Sequence, residues 1–153
     1  MAQAVSITLV NRLSEIEKAT RLVESFGDEH ALPRQLVFNF TLALDEVLTN
    51  VISYGYVGEG EHPILVRLAC DGREVSAEVQ DEGRPFNPLE AKQPDIDASL
   101  EDRPIGGLGV YIVRTLMDAL DYRRENGRNI LIMSKRLTDR DGSGPPDQPA
   151  SAS

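Results

Sequence analysis

Residues 33–54 read PRQLVFNFTLALDEVLTNVISY, and this run decides the fold. Pro33 suits the start of a helix, because the N–H it lacks is one that the first turn leaves unpaired anyway. Leu36, Val37, Phe40, Ala43, Leu44, Val47, Leu48, Val51 and Ile52 recur at helical spacing. They cover more of the surface than one amphipathic stripe, so the helix is expected to lie largely buried. Gly55, Gly58 and Gly60 end it. Within the apolar run stand Glu46 and Asn50, four residues apart and therefore on one face, with Asn39 and Ser53 close to the same line. Charged and amide groups are costly to bury without partners. Two readings follow: a stripe that meets a hydrated cation and a phosphate chain, or the exposed strip of an ordinary amphipathic helix.

On the N-terminal side, Ser6 to Val10 reads as a short strand. Leu13 to Phe26 reads as a helix with Ile16, Ala19 and Val23 on one face and Gly27 as its stop. On the C-terminal side, Ile64 to Cys70 and Glu74 to Gln80 flank Asp71-Gly72-Arg73, a hairpin signal. Val75, Ala77 and Val79 alternate with Ser76, Glu78 and Gln80, so one face of that strand meets the core. The span 81–106 is rich in Pro and Asp and lacks periodicity, which marks a long functional loop. Gly109 to Leu120 returns to helix with Ile112, Val113, Leu116 and Leu120 inward. Asp121 to Glu125 and Asn129 to Arg136 then form a hairpin through Asn126-Gly127. Residues 138–153 shift to Asp, Gly, Ser, Pro and Gln, a composition that buries too little apolar surface to order itself. They are expected to be a disordered tail on one domain of residues 1–137. The order of elements predicts an α+β fold, a two-layer sandwich with helices on one face of a mixed, mostly antiparallel sheet.

Composition narrows the function. A chain of 153 residues holds one core. Its 41% hydrophobic and 27% charged residues are those of a soluble globular protein. No run approaches the roughly 20 apolar residues of a membrane span. The N-terminus lacks the pattern of a signal peptide, so a cytoplasmic location is expected, with no membrane partner. The lone Cys70 can form neither an internal disulfide nor a cysteine zinc cluster. A net charge of −9 argues against a general nucleic-acid surface. Nucleotides stay open, because Mg²⁺, helix N-termini and backbone amides supply local positive potential.

Two further patches carry chemistry. Asp81-Glu82-Gly83 stands where an alternating strand meets the long loop. A carboxylate there accepts a hydrogen bond from an exocyclic amino group such as adenine's, and the glycine lets the backbone approach a flat ring closely. A plain turn is the competing reading. Gly106-Gly107-Leu108-Gly109 directly precedes an amphipathic helix, and bare amides at a helix N-terminus suit a phosphate chain. A flexible hinge is the competing reading there. The sequence has no GxxxxGK[ST] loop, no GxGxxG turn and no HRD or DFG element.

In this order and spacing, the three patches resemble the N, G1 and G2 boxes of the GHKL ATPase and kinase superfamily. Within it the chain is similar to the stand-alone anti-sigma-factor serine kinases of partner-switching systems. Glu46-Val47-Leu48-Thr49-Asn50, Gly107 to Val113, Leu116-Met117-Asp118 and the strand Asn129 to Lys135 carry the likeness. It covers about residues 5–137. The resemblance implies a Bergerat-type fold and a protein serine/threonine kinase that uses ATP and Mg²⁺. Its substrate would be a STAS-type anti-sigma-factor antagonist, and a sigma factor and a second copy of the chain are further partners.

Position by position, the resemblance implies that Asn50 ligates Mg²⁺ and that Glu46 is the base toward the hydroxyl nucleophile. Asp81 would take the adenine amino group, with Gly83 beneath the ring. Gly106, Gly107, Leu108 and Gly109 would bind the phosphates, and residues 84–105 would form an ATP lid. Tyr54 stands where such kinases often carry His-Gly. Pro104 and Ile105 stand where some carry an arginine, leaving Arg103 nearest. These departures motivate the alternative of a non-catalytic ATP-binding switch; a detached histidine-kinase catalytic domain is a further alternative, which would need its phospho-acceptor helix in trans, because neither His30 nor His62 stands in one.

Overall fold

The structure is a computed structural model that describes residues 3–56, 58, 60–90 and 107–137. Its main elements are β1 (Gln3–Val10), α1 (Ile16–Glu29), α2 (Arg34–Tyr54), β2 (Pro63–Cys70), β3 (Glu74–Asp81), α3 (Gly107–Leu116), β4 (Ala119–Glu125) and β5 (Arg128–Arg136). The five strands form one sheet in the order β1-β2-β3-β5-β4. Every neighbouring pair is antiparallel, so the sheet expected to be mixed has no parallel pair among the described residues. The β4–β5 turn places Asn126 at φ 52° and Gly127 at φ 78°. Two successive positive φ values give a turn whose twist matches that of the strands it joins.

The alternation of β3 does what the sequence predicts. Val75, Ala77 and Val79 are buried, together with Ile64, Val66 and Leu68 of β2 and Leu131 and Met133 of β5. The helices close over this face, and α2 packs against both α1 and α3. Leu36, Phe40, Ala43, Leu44 and Leu48 of α2 are at most 2% exposed, which makes α2 the core helix of the domain. At 21 residues, with an 18-residue stretch of mean hydropathy 1.3, α2 is by length and composition alone a candidate membrane span, a property absent from the sequence analysis. Its buried residues Leu36, Phe40, Ala43, Leu44 and Leu48 instead belong to the core that α2 shares with α1, α3 and the sheet.

Two expected helix ends moved. Gly27 lies inside α1, which continues to Glu29. A Cβ there would stand 2.5 Å from Val37 Cγ2, so this glycine permits close approach of α1 and α2 instead of stopping a helix. α3 begins at Gly107 and ends at Leu116, and Leu120 belongs to β4. The Asp118 N–H donates to the Ser134 carbonyl at 2.9 Å, and its carboxylate accepts the Arg136 N–H at 2.7 Å. These bonds draw the chain into the sheet, where Leu120 sits opposite Met133. The expected tail, residues 138–153, lies outside the described residues, as do positions 91–106 of the expected loop.

Candidate functional site

The inward alternation of β3 does not stop at Val79. Asp81 takes the next inward position, is 5% exposed, and is paired in register with Asn129 of β5. Its Oδ1 accepts the Gly83 N–H at 2.8 Å and Asn129 Nδ2 at 3.0 Å. No described residue donates to Oδ2. Burial pushes the carboxyl above its ordinary pKa range, while the Asn129 and Gly83 hydrogen bonds pull the other way.

Asp81 opens into a cavity of about 340 Å³ between α2, α3 and the sheet. Val47, Val51, Val79, Val113 and Leu131 supply apolar wall, Tyr54, Phe86 and Tyr122 aromatic wall, and Asn50, Asp81, Arg84 and Asn129 polar side chains. A largely apolar cleft with a few convergent polar groups is the usual form of a small-ligand site.

Gly83 makes its close approach to protein. A Cβ on it would stand 2.5 Å from the Gly55 carbonyl oxygen and 3.0 Å from Asp81 Oδ1. Gly83 is pressed on the end of α2, and its N–H serves Asp81. Arg84 secures the same junction, donating its N–H to the Gly55 carbonyl at 2.8 Å and Nε to the Tyr54 carbonyl at 2.8 Å. Backbone cannot give way as a side-chain tip can. Gly83→Ala is accordingly expected to cost about 1–3 kcal/mol of stability, seen as a lower urea midpoint. An unchanged midpoint would mean that the junction is slack.

The first and third patches meet directly. A Cβ on Gly109 would stand 2.7 Å from Glu46 Oε1 and 3.5 Å from Asn50 Nδ2, so the first turn of α3 rests on the Glu46–Asn50 face of α2. Gly107 and Leu108 begin α3, where N–H groups lack partners within the helix. Gly106 and Arg103 lie outside the described residues. Glu46 is half-buried, and burial, with Asp45 adding to it, raises its pKa. Asn50 lines the cavity, and no described protein group hydrogen-bonds its amide. The rest of the stripe does not share this place: Asn39 is buried and accepts Gln35 Nε2 at 2.9 Å, and Ser53 is exposed.

The structure thus brings Asn50 and Asp81 to the wall of one cleft and sets Gly109 against Glu46 and Asn50. It adds Asn129 and Tyr122, which have no site role in the sequence analysis, and it places Arg84 and Phe86, from the start of the expected lid, in the cleft wall. The sequence signals for Asn129 are its place just after the Asn126-Gly127 turn and at the start of a strand that carries the family likeness. That turn sets β4–β5 register and says nothing of the non-local pairing with β3.

Comparison with known proteins agrees with this geometry. The profile of the family described as Histidine kinase-like ATPase domain matches residues 9–135. The chain is 35% identical over 100 residues to the serine/threonine-protein kinase BtrW of Bordetella bronchiseptica, covering 65% of this chain and 70% of that protein. It is 27% identical over 124 residues to the anti-sigma F factor of Clostridium acetobutylicum, covering 80% and 86%. It is 30% identical over 108 residues to the serine-protein kinase RsbW of Bacillus cereus, covering 67% and 68%. In fold it is similar to the structure of the RsbU and RsbW domains of Rv1364c from Mycobacterium tuberculosis. There the TM-score is 0.64 at 17% identity, over 88% of this chain and 32% of that one.

Proposed function

The chain belongs to the histidine kinase-like ATPase family and is a serine/threonine-protein kinase of the anti-sigma-factor type, and from this premise we propose how its site works and on what it acts. The protein transfers the γ-phosphoryl group of ATP to a serine or threonine of a STAS-type anti-sigma-factor antagonist, and in its other state holds a sigma factor. The observation that carries this reading is the convergence of three distant segments: Asn50 and Asp81 line one cleft, and Gly109 lies against Glu46 and Asn50.

The apolar and aromatic walls around Asp81 receive the base, whose exocyclic amino group donates to the carboxylate. The first turn of α3, with its unpaired N–H groups, faces the phosphates. Asn50 fits an oxygen ligand of Mg²⁺, a hard cation, because its amide lines the cleft with no described protein partner. When bound, the ion supplies charge neutralisation at the phosphate oxygens. The Glu46 carboxylate takes the proton of the attacking hydroxyl as the new O–P bond forms and the bond to the ADP leaving group breaks. A carboxylate whose pKa is raised by burial and by the neighbouring Asp45 is a better base than an ordinary one.

The reading is tested by incubating the purified protein with γ-labelled ATP, Mg²⁺ and a STAS-domain antagonist. Acid-stable label on the antagonist, on serine or threonine, is the expected result. Absence of transfer by protein that demonstrably binds ATP would leave a nucleotide-controlled switch, and acid-labile label on histidine would point to the histidine-kinase reaction.

A further inference from the structure

One buried side chain next to the cleft makes more hydrogen bonds than any role in the sheet requires. Asn129 is 6% exposed. Its Nδ2 donates to Asp81 Oδ1 at 3.0 Å and to the Arg84 carbonyl at 2.9 Å, with the Gly83 carbonyl at 3.5 Å. Its Oδ1 accepts the Tyr122 hydroxyl and, at 3.4 Å, the Phe86 N–H. The partners leave no choice about which way the amide points, since three oxygens surround one end and two donors the other. A single amide therefore holds the Asp81 carboxylate together with the backbone at Gly83, Arg84 and Phe86, and Arg84 and Phe86 are cavity wall.

We infer that Asn129 is a positioning residue that sets the base selectivity of the site. It occupies Asp81 Oδ1 so that Oδ2 alone is left for a donor on the base, and it fixes the facing Arg84–Phe86 wall through the same amide. The inference rests on the proposed role of Asp81 in base recognition. Tyr122 belongs to the device, because its hydroxyl fixes the Oδ1 end. Without Asn129 the carboxylate has one remaining hydrogen bond, from Gly83, and is free to turn.

Asn129→Asp tests this with little change of shape. The oxygen facing Tyr122 and Phe86 still accepts, while the other oxygen faces the acceptors Asp81 Oδ1, Gly83 O and Arg84 O. Affinities are measured for ATP and for purine riboside triphosphate, which lacks the 6-amino group. In Asn129→Asp the ATP affinity is expected to fall about tenfold or more, as for a lost hydrogen bond at a charged group. The analogue should weaken far less, so that the preference for ATP collapses. Tyr122→Phe removes one hydroxyl and is expected to shift the preference in the same direction by a smaller factor, deciding the matter if the first variant does not fold. Equal weakening of both nucleotides, or unchanged ATP affinity, would overturn the inference and leave Asn129 a structural residue. Asp81→Asn serves as reference: if the ATP preference survives that change, the base-recognition reading itself is at fault.

Discussion

Asp81→Asn is expected to weaken ATP binding by about a hundredfold or more while leaving the domain as stable as the parent or more so. The asparagine oxygen can accept the Gly83 and Asn129 hydrogen bonds that now end on Oδ1. The wall of the cleft then keeps its shape. What changes is the other atom: an acceptor with no described partner becomes an NH₂ donor opposite the place proposed for the amino group of adenine. Loss of a hydrogen bond to a charged group costs about 1.5–3 kcal/mol, and two opposed donors add an unmet desolvation cost. At about 1.4 kcal/mol per factor of ten, a hundredfold is about 2.8 kcal/mol, near the top of what the lost hydrogen bond alone costs, and the opposed donors carry the loss beyond it.

The stability half of this prediction comes from charge. Because burial raises the folded-state pKa of Asp81 above its ordinary value of 3.8, the native state binds more protons than the unfolded chain between the two values. The contribution of the carboxyl to stability is therefore fullest below the unfolded value and is lost as pH rises through the folded one. Asparagine has no such loss. The variant should gain on the parent from acid toward neutral pH, measured by urea unfolding across that range beside calorimetric titration with ATP and Mg²⁺. Tight ATP binding by a folded Asp81→Asn protein would remove this residue from base recognition.

Glu46→Gln is expected to lower phosphotransfer by about 10²–10⁴-fold, the usual contribution of general base catalysis, and to change ATP affinity only a few-fold. Glutamine keeps the shape of the side chain against Gly109, where the carboxylate now stands. It cannot take a proton. Because burial and Asp45 raise the pKa of Glu46 from 4.5, the parent rate should climb with pH to an inflection above the ordinary carboxylate value. That inflection should vanish in the variant. Single-turnover transfer measured from pH 5 to 8, set beside ATP titrations of both proteins, separates base catalysis from binding. A variant that transfers phosphate at the parent rate would exclude Glu46 as the base.

Local patterns in the chain carry most of the architecture. Alternation over Val75, Ala77 and Val79, the apolar periodicity of residues 36–52, Pro33 and the two turns at Asp71-Gly72 and Asn126-Gly127 report on neighbours a few residues away. Strand and helix geometry convert such patterns directly into faces. The errors fell where distant contacts overrule local preference. Gly27 resembles a helix stop by type, yet it is kept small by Val37 of another helix. Leu120 fits a helical period, yet the chain is taken into the sheet by bonds from Asp118 to Ser134 and Arg136.

The amino-acid sequence by itself determined the class of fold, the buried helix with its Glu46–Asn50 stripe, and the carboxylate at the end of an alternating strand. Only the tertiary structure decided that β5 lies beside β3. That pairing sets Asn129 against Asp81 and brings Tyr122 to the same amide. It likewise decided that Gly109 rests on Glu46 and that Gly83 is pressed on Gly55. The physical reason is range: periodicity and turn chemistry act over a few residues, whereas strand order and cleft geometry follow from packing apolar faces that lie tens of residues apart in the chain.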